Sequence, residues 1–347
     1  MLIKKSRIPV KQIVLIGFLP SPLKKLYYKF KGYNFGKNVS IGLGSVIIGK
    51  KVSIGDNTKI GFMTVIRANE IELKRFIRIG SMVFIDTEKV FIDDDARINE
   101  NVIVAGIKYP DSFFSLGKRT IIMEYSYVNP TKPVIIGDDS GIGGHCLLFT
   151  HGSWLPQIDG FPVAFAPITL GKRVWLPWRV FIMPGVNIGD NVVIGANSLI
   201  AKSLPSNCLA AGSPANIIKE NYPPTLSKDK RDGIIENIFN DFIEHLKHNL
   251  FEVKIINQES QKSIRVHKNN LDYSLFYINS AELLNELKTD NNDLIIIDND
   301  QLDIQKTRFN FKMIIDYYHK ERKGSSALGE EFVSFISRYG IRFNRLD

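Results

Sequence analysis

Aliphatic residues recur every six positions through the middle of the chain. Leu170, Leu176, Ile182, Ile188, Ile194 and Ile200 form one register, and four residues after each come Val174, Val180, Val186, Val192 and Ser198. Glycine follows the aliphatic at Gly171, Gly189 and Gly195. The same pattern occurs earlier at Ile48-Gly49, Ile54-Gly55, Ile60-Gly61, Ile79-Gly80, Ile85, Ile92, Ile98, Ile136-Gly137 and Ile142-Gly143. A period of six is too long for a helical stripe and is not plain strand alternation. It predicts a short strand and a tight turn, repeated, with both registers pointing inward. Glycine would take the backbone geometry that other residues resist at a corner. Three such units close a triangle of about 18 residues, and stacked triangles bury a continuous core.

These residues resemble the hexapeptide-repeat acyltransferases over about residues 32–219. The resemblance implies a left-handed parallel β-helix. The hand comes from the family, because parallel crossovers are in general right-handed. It also implies homotrimers, with donor and acceptor sites between neighbouring subunits. Two stretches break the period, residues 105–119 and 151–167, and read as loops leaving the helix, where function tends to sit.

Outside the repeat, the chain divides into a basic N-terminal segment (1–37), the β-helix (38–219), a linker (220–229) containing Pro223-Pro224, and a small α+β or α/β domain (230–347). The last has helical spacing over 230–250 and strand-like runs at 252–256, 263–267, 273–278, 293–298 and 312–318. Further helices are expected at 280–288 and near 327–339. No cofactor motif is found there, and His245 with His248 reads as a solvated helix edge.

Two histidines fall in the repeat, His145 and His151. A zinc site of the kind in β-helix carbonic anhydrases needs three converging histidines, so no metal is expected. The stretch Asn129-Pro130, Val134, Ile136-Gly137, Ile142-Gly143, Cys146, Leu148 and then His151 resembles the sugar and capsule O-acetyltransferases and the maltose and galactoside acetyltransferases of this family. The resemblance implies that His151 is the general base, removing the acceptor's hydroxyl proton as oxygen attacks a thioester. Imidazole suits that task near pH 7, and a hydroxyl is a weak nucleophile without it. His145 reads as a turn residue or as a group that orients the site.

Carried over residue by residue, Trp178, Ala196 and Ala201 fall where the family lines the arm of coenzyme A, and Lys202 beside the nucleotide phosphates. Asn216 and Lys219 follow the closing Ala211-Gly212-Ser213-Pro214-Ala215 and stand where Arg or Lys is common. Two departures stand out: Trp178 replaces a small residue, and Asn216 removes a charge. Cys146 and Cys208 read as packed, so no acyl-enzyme nucleophile stands out. Direct transfer follows, with backbone N–H groups at a turn holding the oxyanion. Acceptor candidates are Asn129, Trp154 and Trp175, since amides read hydroxyls and indoles stack on sugar faces. Trp175 also reads as a packing residue.

The resulting expectation is an acetyl-CoA-dependent O-acetyltransferase acting on a sugar hydroxyl of a surface polysaccharide or its precursor. Two alternatives stay open: an N-acyltransferase of an amino sugar, and a non-catalytic β-helix scaffold that presents the C-terminal domain.

Charge adds a location. The net charge is +9, yet residues 1–37 hold nine basic residues and no acid, leaving 36 of each sign over 38–347. The pI of about 9.3 therefore belongs to one end, and nucleic acid drops out as a partner. Two cysteines exclude a disulfide framework and suit a reducing, cytoplasmic setting. The apolar run Ile13–Leu19 is too short to span a bilayer and lacks a cleavage site, so it is read as uncleaved. Pro22–Lys31 interleaves apolar and basic residues at near-helical spacing. It is read either as a helix capping the open end of the β-helix with its lysines in water, or as an attachment to an anionic inner-leaflet surface.

Overall fold

The computed structural model describes residues 9–258, 261–268, 271–278, 294–297 and 312–346. The chain forms two compact units, Met1–Pro224 and Thr225–Asp347.

The first unit is a three-sided parallel β-helix. Its first face runs from Asn34–Phe35 to Asn187–Ile188, its second begins at Ser40–Ile41, and its third runs from Val46–Ile48 to Leu199–Ile200. Both predicted registers are buried: Leu170, Leu176, Ile182, Ile188, Ile194 and Ile200 with Val174, Val180, Val186, Val192 and Ser198. Each fully buried aliphatic contributes about 1.5–3 kcal/mol relative to exposure. Ile48 departs from the expectation. Ile47 fills the core above Ile66, while Ile48 lies half-buried in the column of Arg67 and Asp86. Side chains alternate along a strand, so a shift of one residue exchanges inside for outside.

The coils are not uniformly 18 residues long. From first face to second, and from second to third, the step is six, as from Ser53 to Lys59 to Val65 and from Thr169 to Trp175 to Phe181. From third face back to first it varies. It is seven in the early coils (Val65 to Glu72), six from Phe181 to Asn187 and four at the end, from Ile200 to Leu204. It is much longer from Ile103 to Ser115 and from Leu147 to Thr169. All length variation is confined to this third corner. The first predicted excursion is also shorter than 105–119, because Phe113–Leu116 already rejoins the first face with Phe114 and Leu116 in the core.

Glycine shapes few of the corners: Gly44 and Gly185 take the left-handed conformation, but the glycines that follow the aliphatics of the repeat do not. The left-handed backbone conformation there belongs to residues such as Asn57, Asp95 and Asn191 at the first corner and Met63, Met82, Asn101, Tyr125, His145, Arg179 and Asn197 at the second. Asn and Asp tolerate it through local hydrogen bonds, whereas other side chains carry a cost of about 1–2 kcal/mol each. The glycines after the aliphatics serve close stacking instead. A Cβ on Gly61 would lie 2.5 Å from the carbonyl carbon of Gly80 on the next coil.

Helix α1 (Ser21–Phe30) covers the first coil. Ser21 Oγ accepts from the Ile41 amide (3.0 Å), Tyr28 Oη from Ile47 (2.9 Å) and Tyr33 Oη from Gly49 (3.0 Å). Lys24 does not sit in water. It is 0% exposed and its Nζ donates to the Gly42 carbonyl, and burial lowers its pKa to about 8. Burial also pushes the Tyr28 hydroxyl up to about 12, against the opposing hydrogen bond from Ile47. At the far end, Ala215–Glu220 pairs antiparallel with Cys208–Gly212.

The second unit is α+β. Helix α2 (Lys228–His248) buries Ile235, Ile238, Phe239, Phe242, Ile243 and Leu246. Among the described residues a seven-stranded sheet follows in chain order, from Glu252–Gln258 to Asn344–Arg345, with Leu294–Ile297 at its centre parallel to both Leu271–Ile278 and Met313–Asp316. Helix α3 (Ala327–Ile336) is capped by Ser326, whose side chain accepts from the Gly329 amide. The helix expected at 280–288 lies outside the described residues. His245 is not a solvated edge residue: it packs on Phe242 and Phe335, with Nε2 2.8 Å from Glu331.

Candidate functional site at the third corner

Both excursions leave the third corner, with one short turn, 130–133, between them. Buried hydrogen bonds join the three. Asn129 Oδ1 accepts from the Thr131 amide (3.1 Å) and hydroxyl (2.7 Å). Thr131 Oγ1 accepts from the Ile107 amide (3.0 Å), and Ser112 Oγ donates to the Thr131 carbonyl (2.8 Å). Thr150 Oγ1 donates to the Asn129 carbonyl (2.7 Å) and accepts from the Lys132 amide (2.9 Å). Lys108, on the first excursion, pairs with Asp86, which also takes Arg67 Nε at 2.8 Å. Burial would raise the Asp86 carboxyl, but Arg67 and Lys108 outweigh it and hold it below the usual range.

On this base lies a row of side chains drawn from both excursions. His151-Gly152 pairs antiparallel with Ala164-Phe165, and the His151 ring stacks on Phe165 at 5.7 Å. Phe165 meets Tyr109 edge-on at 6.1 Å. Lys132 Nζ lies 4.9 Å from the Tyr109 ring centre and 2.9 Å from Asp111. His151 is half-buried, and its Nδ1 is buried without a hydrogen-bond partner among the described residues. Buried polar atoms are rarely left so, and each such atom calls for an explanation.

The other expected residues are distributed around this point. Ala201 and Lys202 are exposed on the same corner, two coils beyond Thr150, which is about 10 Å along the axis at ordinary strand spacing. Trp178, Ala196 and His145 lie instead on the second corner. The His145 ring stacks on Tyr125 at 5.2 Å and faces Trp178 at 5.7 Å. The Trp178 indole covers Gly144, where a Cβ would come within 2.5 Å of it. Trp175 points outward from the second face and lies against Gly141. Asn129 is buried, with its Oδ1 committed to Thr131 beneath the site. Trp154, on the second excursion, is 96% exposed. Asn216 and Lys219 are exposed on the closing strand. Sequence reasoning missed Tyr109, Lys132 and Phe165. A signal was present in the short, proline-flanked turn Pro130-Thr131-Lys132-Pro133 between two broken repeats.

Cys146 is fully buried, its Sγ 3.0 Å from the Pro177 carbonyl, and burial pushes its thiol up to about 11. Cys208 is buried too, and its pKa is raised by the same cause. Among the described residues, no three His, Cys, Asp or Glu side chains converge as metal ligands.

The family pattern described as "Hexapeptide repeat of succinyl-transferase" matches residues 167–202. Galactoside O-acetyltransferase of Escherichia coli (strain K12) is 34% identical over 135 residues, covering 36% of this chain and 64% of that protein, just under two thirds of its length. The putative colanic acid biosynthesis acetyltransferase WcaF of the same organism is 35% identical over 130 residues, covering 36% of this chain and 69% of that protein. Among solved structures, the polySia specific acetyltransferase NeuO is 24% identical, with 56% of this chain and 83% of that chain covered and a TM-score of 0.36. With a six-residue repeat closed into three faces and a relative 35% identical of which this chain covers 69%, the chain belongs to the hexapeptide-repeat acetyltransferases.

Proposed function

We propose that the protein transfers an acetyl group from acetyl-CoA to a sugar hydroxyl of a surface polysaccharide or its precursor, with His151 as general base. The observation that carries this is the His151 imidazole, fixed against Phe165 with a buried nitrogen that no described group satisfies. The acceptor hydroxyl gives its proton to the imidazole as its oxygen attacks the thioester carbonyl carbon. The C–S bond then breaks, and the proton passes on to the coenzyme thiolate. The thiols of Cys146 and Cys208, held protonated by burial, support transfer without an acyl-enzyme. Phe165 and Tyr109 offer faces for a sugar ring, and the Lys132–Asp111 pair offers polar groups to its hydroxyls.

Lys202 would meet the nucleotide phosphates, on the same edge as His151. Of the other coenzyme candidates, Ala201 lies beside Lys202 and Asn216 and Lys219 lie on the closing strand, whereas Trp178 and Ala196 stand across the third face on the second corner. In a homotrimer a neighbouring copy would supply the second wall. Among the described residues no helix is long and apolar enough to cross a membrane.

The test is thiol release from acetyl-CoA with a panel of cell-surface oligosaccharides. His151→Ala should lower turnover by about 100-fold or more and leave coenzyme binding intact. Unchanged turnover would remove the base assignment, and absence of coenzyme binding by the native protein would remove the enzyme reading.

A further inference from the structure

Helix α1 is built inside out. The face it turns to the β-helix carries Lys24 and Tyr28, both buried. The opposite face carries Leu23, Leu26 and Phe30, at i, i+3 and i+7, which is one apolar stripe on a helix. These residues are exposed, Phe30 by 85%. Just before them, around the wide helical turn Ile13–Gly17, Val14, Leu15 and Phe18 are exposed as well. A soluble helix capping a β-helix would place its leucines inward and its lysines outward. This helix spends a buried lysine on the Gly42 carbonyl and leaves its apolar stripe in water. Contiguous exposed apolar surface of this kind marks an interaction site.

The charge around the stripe identifies what covers it. Lys11, Lys29 and Lys31 are exposed beside it, Lys25 is partly so, and no acidic residue occurs before Asp56. A second copy would bring the same acid-free surface face to face with itself, like charge against like. An apolar stripe with a basic rim instead suits a bilayer interface, with the side chains at the acyl boundary and the lysines among anionic headgroups.

We propose that the outer face of α1 and the turn before it form a docking platform for an anionic lipid surface. This takes up the inner-leaflet alternative read from the basic N-terminal sequence, and it is tested without the reaction. The full-length protein is sedimented with phosphatidylglycerol-containing vesicles and with pure phosphatidylcholine vesicles, no acetyl donor being present. It should pellet with the first and not the second, less so as salt is raised. Leu26→Gln with Phe30→Gln changes no charge at two exposed positions, and should lower the vesicle-bound fraction about tenfold or more. Lys29→Gln with Lys31→Gln should weaken binding and flatten its salt dependence. Equal pelleting with both vesicle types, or unchanged pelleting of the leucine–phenylalanine variant, overturns the proposal. So does a lipid-free association between copies that this variant abolishes. Thiol release with a soluble acceptor should be equal in native and variant proteins, so failure of either proposal is read separately.

Discussion

His145 and His151 are six residues apart in one coil and occupy neighbouring corners, yet their surroundings have little in common. At the second corner the step between faces is always six. There His145 is one rung in a column of left-handed residues that runs through Met82, Asn101, Tyr125, Arg179 and Asn197. Its ring is exposed and held between Tyr125 and Trp178. At the third corner the step is free to vary, and two excursions leave the coil. There His151 has a stacked ring and a buried nitrogen without a partner among the described residues. A column repeated on every coil constrains each of its members. A corner whose length varies can host side chains that the repeat does not need.

Inserting one residue tests that contrast most severely. A glycine placed after Met82, at the second corner, would turn every later residue of that side from inside to outside. It should abolish a cooperative thermal transition or lower the midpoint by well over 10 °C, since several buried aliphatics lose their place. The same insertion after Lys202 should move the midpoint by only a few degrees. Equal damage at the two corners would refute the distinction.

The two histidines come next. His151→Gln should lower turnover by about 100-fold, and His145→Gln by no more than a few-fold, measured by thiol release under saturating acetyl-CoA. A smaller effect is expected from Lys202→Ala. It should raise the KM for acetyl-CoA several-fold with little change in kcat, and less at high salt, as suits an exposed charge. A fall in kcat alone would place Lys202 elsewhere in the reaction.

The smallest effect concerns Lys24, which reaches the second corner of the first coil at Gly42. Its pKa is about 8 when folded, against an ordinary 10.5, so between these values the unfolded chain binds more protons than the native one. Stability should therefore rise with pH from about 8 to about 10. Above that, Tyr28, held near 12 against an ordinary 10, acts in the opposite sense. Denaturation midpoints at pH 8, 9 and 10 should rise in the native protein and stay nearly flat in Lys24→Met. A parallel rise in both would assign the dependence to other groups.

The repeat was legible because burial repeats: Leu170 through Ile200 are apolar since each must fill the same interior position. The corners were legible only in part. Sequence shows glycine after an aliphatic but not whether it relieves a dihedral angle or a contact, and Gly61 proves to be the second case. Ile48 misled because two adjacent isoleucines leave the phase of an alternation undefined. At the candidate site, the flanking pattern is what points to His151. Tyr109, Lys132 and Phe165 come together from three separate turns, and no spacing along one chain reports such a meeting. Asn129 was marked as a hydroxyl reader, and its amide oxygen instead serves the Thr131 turn beneath. Lys24 was unreadable for the same reason: a lysine on an amphipathic helix is assigned to water unless the partner carbonyl is known.

The two ends of the coil stack carry one more consequence. Parallel coils have no natural length, because the last one displays the same row of amides and carbonyls that the one before it used. In this chain the starting row is met by the hydroxyls of Ser21, Tyr28 and Tyr33 and by the Lys24 ammonium. On the second face the finishing row is met by Ala215–Glu220, a strand running the opposite way. These are two terminators of unlike chemistry, side-chain donors and acceptors at one end and a reversed strand on one face at the other. Each works against end-to-end stacking of one β-helix on another, which would otherwise lead toward a fibre.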